Sequence, residues 1–211
     1  LWIGMNGAGI DKLNTMTGKI TNYEILEDED VQKFQLITRA LYEDKTGRIL
    51  AGVTGYGLID LDPETEEYNS YTHDVIDYDE LSSSNVYGIT EDDQNNILIA
   101  TYGGGLNIYN REKKTFSYIS YDPDNPSSLV SDVLYGIWQD AKGMYWIASE
   151  HGISVWDKKK NTFRNYTRNM CVPNNITDNR VRNIFFDSNH NIWIGTESDV
   201  NMIIQQTNYL S

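Results

Sequence analysis

Cysteine is all but missing from this chain. Cys171 stands alone among 211 residues, so no intrachain disulfide can staple the fold, and one thiol fixes no redox compartment. Positive charge is also short: 17 Lys and Arg stand against 31 Asp and Glu, a formal net charge of −14. That balance argues against a nucleic-acid backbone or an anionic membrane surface as the main partner. No apolar run approaches the length of a membrane span, so direct membrane contact is not expected. Helical periodicity is scarce too. The best candidate, Glu24 to Gln35, is acidic and has no apolar stripe. The three histidines, His73, His151 and His190, fall at different repeat positions. A three-His metal site is therefore not expected, and neither is a cofactor.

What the chain does have is one stretch written five times. Leu1-Trp-Ile-Gly4 returns as Ile49-Leu-Ala-Gly52, Ile97-Leu-Ile-Ala100, Tyr145-Trp-Ile-Ala148 and Ile192-Trp-Ile-Gly195. The closing small residue recurs at 4, 52, 100, 148 and 195, at spacings of 48, 48, 48 and 47. A fixed period of this size marks an array of one supersecondary unit. Asp44, Asp92, Asp140 and Asp187 precede the anchor in the last four copies, each followed by turn residues. After the anchor comes a short turn, glycine-rich in the first three copies (Gly7 and Gly9, Gly55 and Gly57, Gly103 to Gly105), then an alternating strand such as Leu58 to Leu61. A last short strand carries Ile20/Tyr23, Tyr68/Tyr71, Phe116/Ile119 and Phe163/Tyr166.

Each full copy thus holds four short segments rich in Ile, Val, Tyr, Phe and Trp, bounded by Gly, Asn and Asp, which reads as strand. The first strands span 37–44, 85–92, 133–140 and 180–187. The anchor strand is a continuous apolar run, as expected of a strand buried on both faces. Four-stranded units at this period predict an all-β fold, a β-propeller with blades of 47–48 residues. Blades are expected at about 36–71, 84–121 and 132–166, with partial blades at 1–23 and 180–205. Both partial blades contain the same second strand, around Trp2 and Trp193. The sequence therefore reads as an incomplete arc of a larger propeller, with Trp2, Trp146 and Trp193 lying between blades. The glycine-rich turns are turn chemistry; phosphate cradling would need a helix to follow.

The unit resembles the two-component regulator propeller repeat, Val-x-x-Ile-x-x-Asp-x-x-Gly-x-Leu-Trp-Ile-Gly-Thr-x-x-Gly-Gly-Leu. The stretches that carry the likeness are Leu134 to Asp140 with Tyr145 to Ser149, Val181 to Asp187 with Ile192 to Thr196, and the links Asn125 to Leu129 and Glu80 to Asn85. The resemblance implies a periplasmic sensor region of a hybrid two-component histidine kinase, in a family where many members sense glycan breakdown products. It also implies partners within the parent chain: further blades and a membrane-proximal domain. A homodimer is a further implied partner.

In a propeller, function is expected where the copies differ, on the face shared by the links and the turns after the anchor. The head of the first strand carries Arg39, Tyr87, Tyr135 and Arg182, and the turns add Tyr56, Tyr102, Glu150 and His151. These eight residues are the candidate ligand-binding set. Polar groups beside aromatic faces suit a sugar, whose hydroxyls need hydrogen bonds and whose ring faces need flat apolar surfaces. The links 24–36, 72–84, 122–132 and 167–179 lie alongside, with Tyr78, Tyr121, Arg168 and Asn174. Asp74, Asp77, Asp79, Glu80, Asp122 and Asp124 in these links would repel an anion, so a neutral oligosaccharide is the expected ligand. No catalytic residues are expected. The alternatives are an interaction or dimerisation scaffold and, third, a propeller lyase, lactonase or glycosidase. The last needs two acids about 5–10 Å apart across a cleft, for which Glu150 with Glu197 is the available pair.

Overall fold

The structure, a computed structural model, describes residues 1–7, 9–23, 25, 37–73, 80–169 and 175–204. The candidate helical segment Glu24 to Gln35 therefore lies, apart from Ile25, outside the described residues, as does Cys171. The described residues form 18 strands and no helix. The first sheet holds β1 (Trp2–Gly4), β2 (Ile10–Leu13) and β3 (Ile20–Tyr23). The second holds β4 (Thr38–Glu43), β5 (Ile49–Val53), β6 (Gly57–Leu61) and β7 (Tyr68–Tyr71). The third holds β8 (Val86–Glu91), β9 (Ile97–Thr101), β10 (Gly105–Asn110) and β11 (Thr115–Ile119). The fourth holds β12 (Leu134–Gln139), β13 (Tyr145–Ser149), β14 (Gly152–Asp157) and β15 (Thr162–Tyr166). The fifth holds β16 (Val181–Phe186), β17 (Ile192–Thr196) and β18 (Val200–Ile203). Every sheet is an antiparallel meander in chain order. This is the blade of a β-propeller. The inner strands β4, β8, β12 and β16 lie side by side from one blade to the next.

The continuous apolar anchor has a simple cause. Ile49, Ala51 and Val53 pack back onto the first sheet, with Ile10 and Tyr23, while Leu50 packs forward with Ile97 and Ile99. Leu98 and Ala100 then pack forward with Tyr145 and Ile147, and Trp146 and Ala148 with Ile192 and Ile194. Each second strand is sandwiched between two neighbours, so residues of both parities are apolar. Each blade interface is its own small core. Ile25, Leu81, Leu129 and Ile176, one from each link, plug all four of them.

The Asp column caps turns. Oδ1 of Asp44, Asp92, Asp140 and Asp187 accepts the backbone N–H groups two and four residues on. The other carboxylate oxygen is used in two ways. In Asp140 and Asp187 it accepts the indole N–H of Trp146 and Trp193, both at 3.0 Å. Asp44 and Asp92, whose second strands carry Leu at that position, pair instead with a cation from the next blade, Arg111 at 2.5 Å and Lys158 respectively. Burial works against the charged form of both. Thr46 and Arg111 at Asp44, and Lys158 and Asn96 at Asp92, overcome it and hold the carboxyls below their ordinary pKa.

Trp146 lies between blades, 7% exposed, and Trp2 is partly buried against Tyr23 with ring centroids 5.2 Å apart. Trp193 differs from the expectation: it is 38% exposed, in a row with Phe185 and Met202 across the last sheet. Its strand position aims it forward, and no described blade covers that face.

Candidate functional site

A β-bulge positions the candidate column. In each first strand the register slips at one point, between Thr38 and Ala40, Val86 and Gly88, Leu134 and Gly136, and Val181 and Asn183. The residue left without a cross-strand partner is Arg39, Tyr87, Tyr135 or Arg182. An extra residue of this kind breaks the pleat and re-aims its side chain. The core residues on either side are consequently three apart instead of two: Val86/Ile89, Leu134/Ile137 and Val181/Ile184.

The turns after the anchor are tied to the same end of the strands. Thr54, Tyr102, Glu150 and Glu197 each donate a backbone N–H, at 2.9–3.1 Å, to the carbonyl of Ile37, Asn85, Val133 and Arg180, just ahead of the first strand. In the third blade, Gly105 at φ +70° brings the turn so close to the outer strand that a Cβ would sit 2.6 Å from the Ile119 carbonyl oxygen.

These constraints assemble an aromatic platform. The rings of Tyr87 and Tyr135 lie 6.2 Å apart, and Tyr102 from the intervening turn sits 5.5 Å from the first and 6.1 Å from the second. Arg39 lies over Tyr87 at 5.4 Å and Arg182 over Tyr135 at 4.2 Å, so a guanidinium closes each end through a cation–π contact. Backbone approach sets the spacing. A Cβ on Gly88 would lie 2.6 Å from Gly136 Cα, so the strands carrying Tyr87 and Tyr135 touch main chain to main chain. Burial pushes the Tyr135 phenol up, with Arg182 opposing. The three phenol hydroxyls have no hydrogen-bond partner among the described residues, and Tyr102 is 44% exposed.

Beside Arg182 the charges are paired. Glu197 takes Arg180 at 3.0 Å and Arg182 at 3.2 Å, and Glu150 lies 3.7 Å from Arg180. The two guanidiniums hold the Glu197 carboxyl below its ordinary pKa. A glycosidase general acid needs the opposite shift, so the Glu150 and Glu197 pair is better read as an ion-pair network.

Of the eight expected residues, Arg39, Tyr87, Tyr102, Tyr135 and Arg182 come together, and Glu150 joins through Arg180. Tyr56 does not: it packs against the core between the first two blades. His151 turns toward the Ser131 hydroxyl at 3.4 Å. Arg180 was missed, although its column otherwise reads Ile37, Asn85 and Val133, and a charge there was the available signal. Tyr78, Asn174, Asp74, Asp77 and Asp79 lie outside the described residues. Among the described residues no group of three His, Cys, Asp or Glu side chains could hold a metal ion, and no helix is long and apolar enough to cross a membrane.

The family model of the two-component regulator propeller matches residues 80–103 and 175–198. Those two stretches match the two-component regulator propeller repeat. The first matched repeat supplies Tyr87 and Tyr102 to the platform, the second Arg180, Arg182 and Glu197. Among solved structures the chain is similar to the extracellular domain of a hybrid two-component system from B. thetaiotaomicron. Identity there is 28% with a TM-score of 0.73, over 95% of this chain and 24% of that one. The chain thus spans about a quarter of that domain's length. A second B. thetaiotaomicron domain of the same description matches at 18% identity and a TM-score of 0.52, over 95% of this chain and 32% of that one. Virginiamycin B lyase from Staphylococcus aureus matches at 15% identity and a TM-score of 0.67, over 98% of this chain and 67% of that one, a likeness of fold alone. No curated protein sequence matches the chain.

Proposed function

We propose that this chain is a ligand-sensing propeller segment from the periplasmic part of a hybrid two-component sensor kinase, and that the tyrosine platform binds a glycan. The observation that carries the reading is the Tyr87–Tyr102–Tyr135 cluster, three contacting rings with free hydroxyls at the head of the inner strands. Ring faces stack on sugar faces while phenols donate to hydroxyls. The similarity to extracellular domains of hybrid two-component systems supports the setting. Further blades and a membrane-proximal domain of a parent chain are the partners this reading implies. No catalysis is assigned, since the acids nearest the platform are neutralised by arginines. Calorimetric titration of the chain with an oligosaccharide panel should give saturable heat that Tyr102→Ala abolishes. Flat titrations across the panel, or sugar turnover by the purified chain, would sink the reading.

A second reading rests on a separate observation. Phe185, Trp193 and Met202, 63%, 38% and 45% exposed, form an apolar row across the last sheet. Such a row suits the face that a neighbouring blade covers in a propeller, and in the scaffold reading a second copy covers it instead. Sedimentation of the wild type against Trp193→Lys distinguishes them: a dimer lost in the variant, together with no glycan binding, favours the scaffold.

A further inference from the structure

The charge distribution at the platform points to a narrower ligand class than the chain's overall acidity does. Three guanidiniums, Arg39, Arg180 and Arg182, stand there with three carboxylates, Glu150, Glu197 and Asp178, and all three carboxylates lie at the Arg180 and Arg182 end. Arg39, at the other end, is exposed and has no carboxylate within ion-pair distance among the described residues; its one recorded contact is the Tyr87 ring. An exposed guanidinium resting on an aromatic face keeps its fork of N–H donors directed outward, matched in geometry to a carboxylate or sulfate. The Arg39 end of the platform is thus a positive spot, among the described residues, in a chain of net charge −14. The acidic remainder repels an anion elsewhere and focuses it there.

We infer that the platform takes a saccharide bearing an oxyanion, a uronate carboxylate or a sulfate ester, with Arg39 holding the charged group and Tyr102 stacking on the adjacent ring. This rests on the glycan-sensing reading above and replaces its neutral ligand with an anionic one. The acidic residues that suggested a neutral ligand, Glu80, Asp122 and Asp124, belong to the links and not to the bulge column. Asp74, Asp77 and Asp79 fall in the undescribed link. Among the described residues no carboxylate lies within ion-pair distance of Arg39. The three free phenol hydroxyls add donors, which an anion accepts from more strongly than a neutral hydroxyl does.

The test titrates the 211-residue chain with three probes: a galacturonate trisaccharide, its methyl-esterified counterpart, and a sulfated galactose trisaccharide. The expected result is binding of one or both anionic probes at least about tenfold tighter than the ester, because a charge-assisted hydrogen bond is involved. Arg39→Gln should remove that preference, bringing the affinities for acid and ester together. Raising NaCl should weaken only the anionic probes. Which anion binds tells carboxylate from sulfate. Equal binding of ester and acid, insensitive to Arg39→Gln, overturns this inference and leaves the glycan reading standing. Flat titrations with every probe overturn both. A circular-dichroism spectrum matching wild type shows that Arg39→Gln, at a bulged surface position, has kept its fold.

Discussion

Replacing Gly88 by alanine tests how closely the inner strands are packed. An added Cβ would lie 2.6 Å from Gly136 Cα, 2.9 Å from Ile137 N and 3.1 Å from Gly136 C, all backbone atoms, where ordinary contact begins at 3.4 Å. Backbone cannot swing aside, so β8 and β12 must separate by most of the 0.8 Å shortfall against Gly136 Cα (3.4 less 2.6). That movement pulls on Val86, Ile89, Leu134 and Ile137, all buried in the cores to either side. Overpacking of this kind costs about 1–3 kcal/mol. Gly88 is not among the positive-φ residues, so the lower entropy of an unfolded alanine chain returns about 0.4–1 kcal/mol. The net expectation is a loss centred on about 1.3 kcal/mol, the difference between the midpoints of those ranges (about 2 less about 0.7). Gly195→Ala is the control: its nearest atoms are 3.8 and 3.9 Å away and its φ is not positive, so it should stabilise by about 0.4–1 kcal/mol. Urea unfolding of the chain followed by tryptophan fluorescence measures both. The near-ultraviolet tyrosine dichroism should also change in Gly88→Ala, because the same strands set the 6.2 Å separation of Tyr87 and Tyr135. If Gly88→Ala is as stable as wild type while Gly195→Ala behaves as expected, the close approach of the inner strands is wrong.

Trp146→Ala should cost about 3–5 kcal/mol, as for other buried aromatics, because the indole fills the core between the last two blades and caps Asp140; a loss under about 1 kcal/mol, within the range of surface changes, would place Trp146 outside the core. Stability should decline on acidification. Asp44 and Asp92 have folded pKa values below their unfolded ones, so their contribution is complete above the unfolded carboxylate range and is lost as pH falls through the folded pKa. Asp92→Asn should flatten that acid limb in a pH series of urea midpoints, and an unchanged limb would deny the link between Asp92 and Lys158 a role in stability.

Fold class was legible because the stacking constraint writes itself into every copy. An anchor strand squeezed from both sides must be apolar at consecutive positions, and Asp must return at each capped turn. The platform was only half legible. Arg39, Tyr87, Tyr135 and Arg182 stand out as a variable column, but the bulge that turns them to one end hides in a three-residue spacing, Val86 to Ile89 and Leu134 to Ile137, easily taken for loose alternation. Tyr56 and Tyr102 both stand in turns after the anchor, but Tyr56 is four residues past Gly52 and Tyr102 two past Ala100, and one packs inward while the other lies on the platform. The two turns differ in their neighbours, and neighbours are set by tertiary packing. Trp193 failed for a related reason: repeat position gives the direction of a side chain, not whether anything covers it.

The bulges also divide labour within each inner strand. Because the inserted residue has no cross-strand partner, its identity is decoupled from the blade core that its neighbours build. One position per blade can exchange arginine for tyrosine, or either for another type, while the strands on both sides keep their register. The exposed positions of the column, Arg39 and Arg182, should tolerate substitution within about 0.5 kcal/mol. If the sensing reading proposed above holds, such a column lets a new ligand be acquired by point substitution at four sites without renegotiating the fold, and the Arg, Tyr, Tyr, Arg order at 39, 87, 135 and 182 is one setting of a four-place dial.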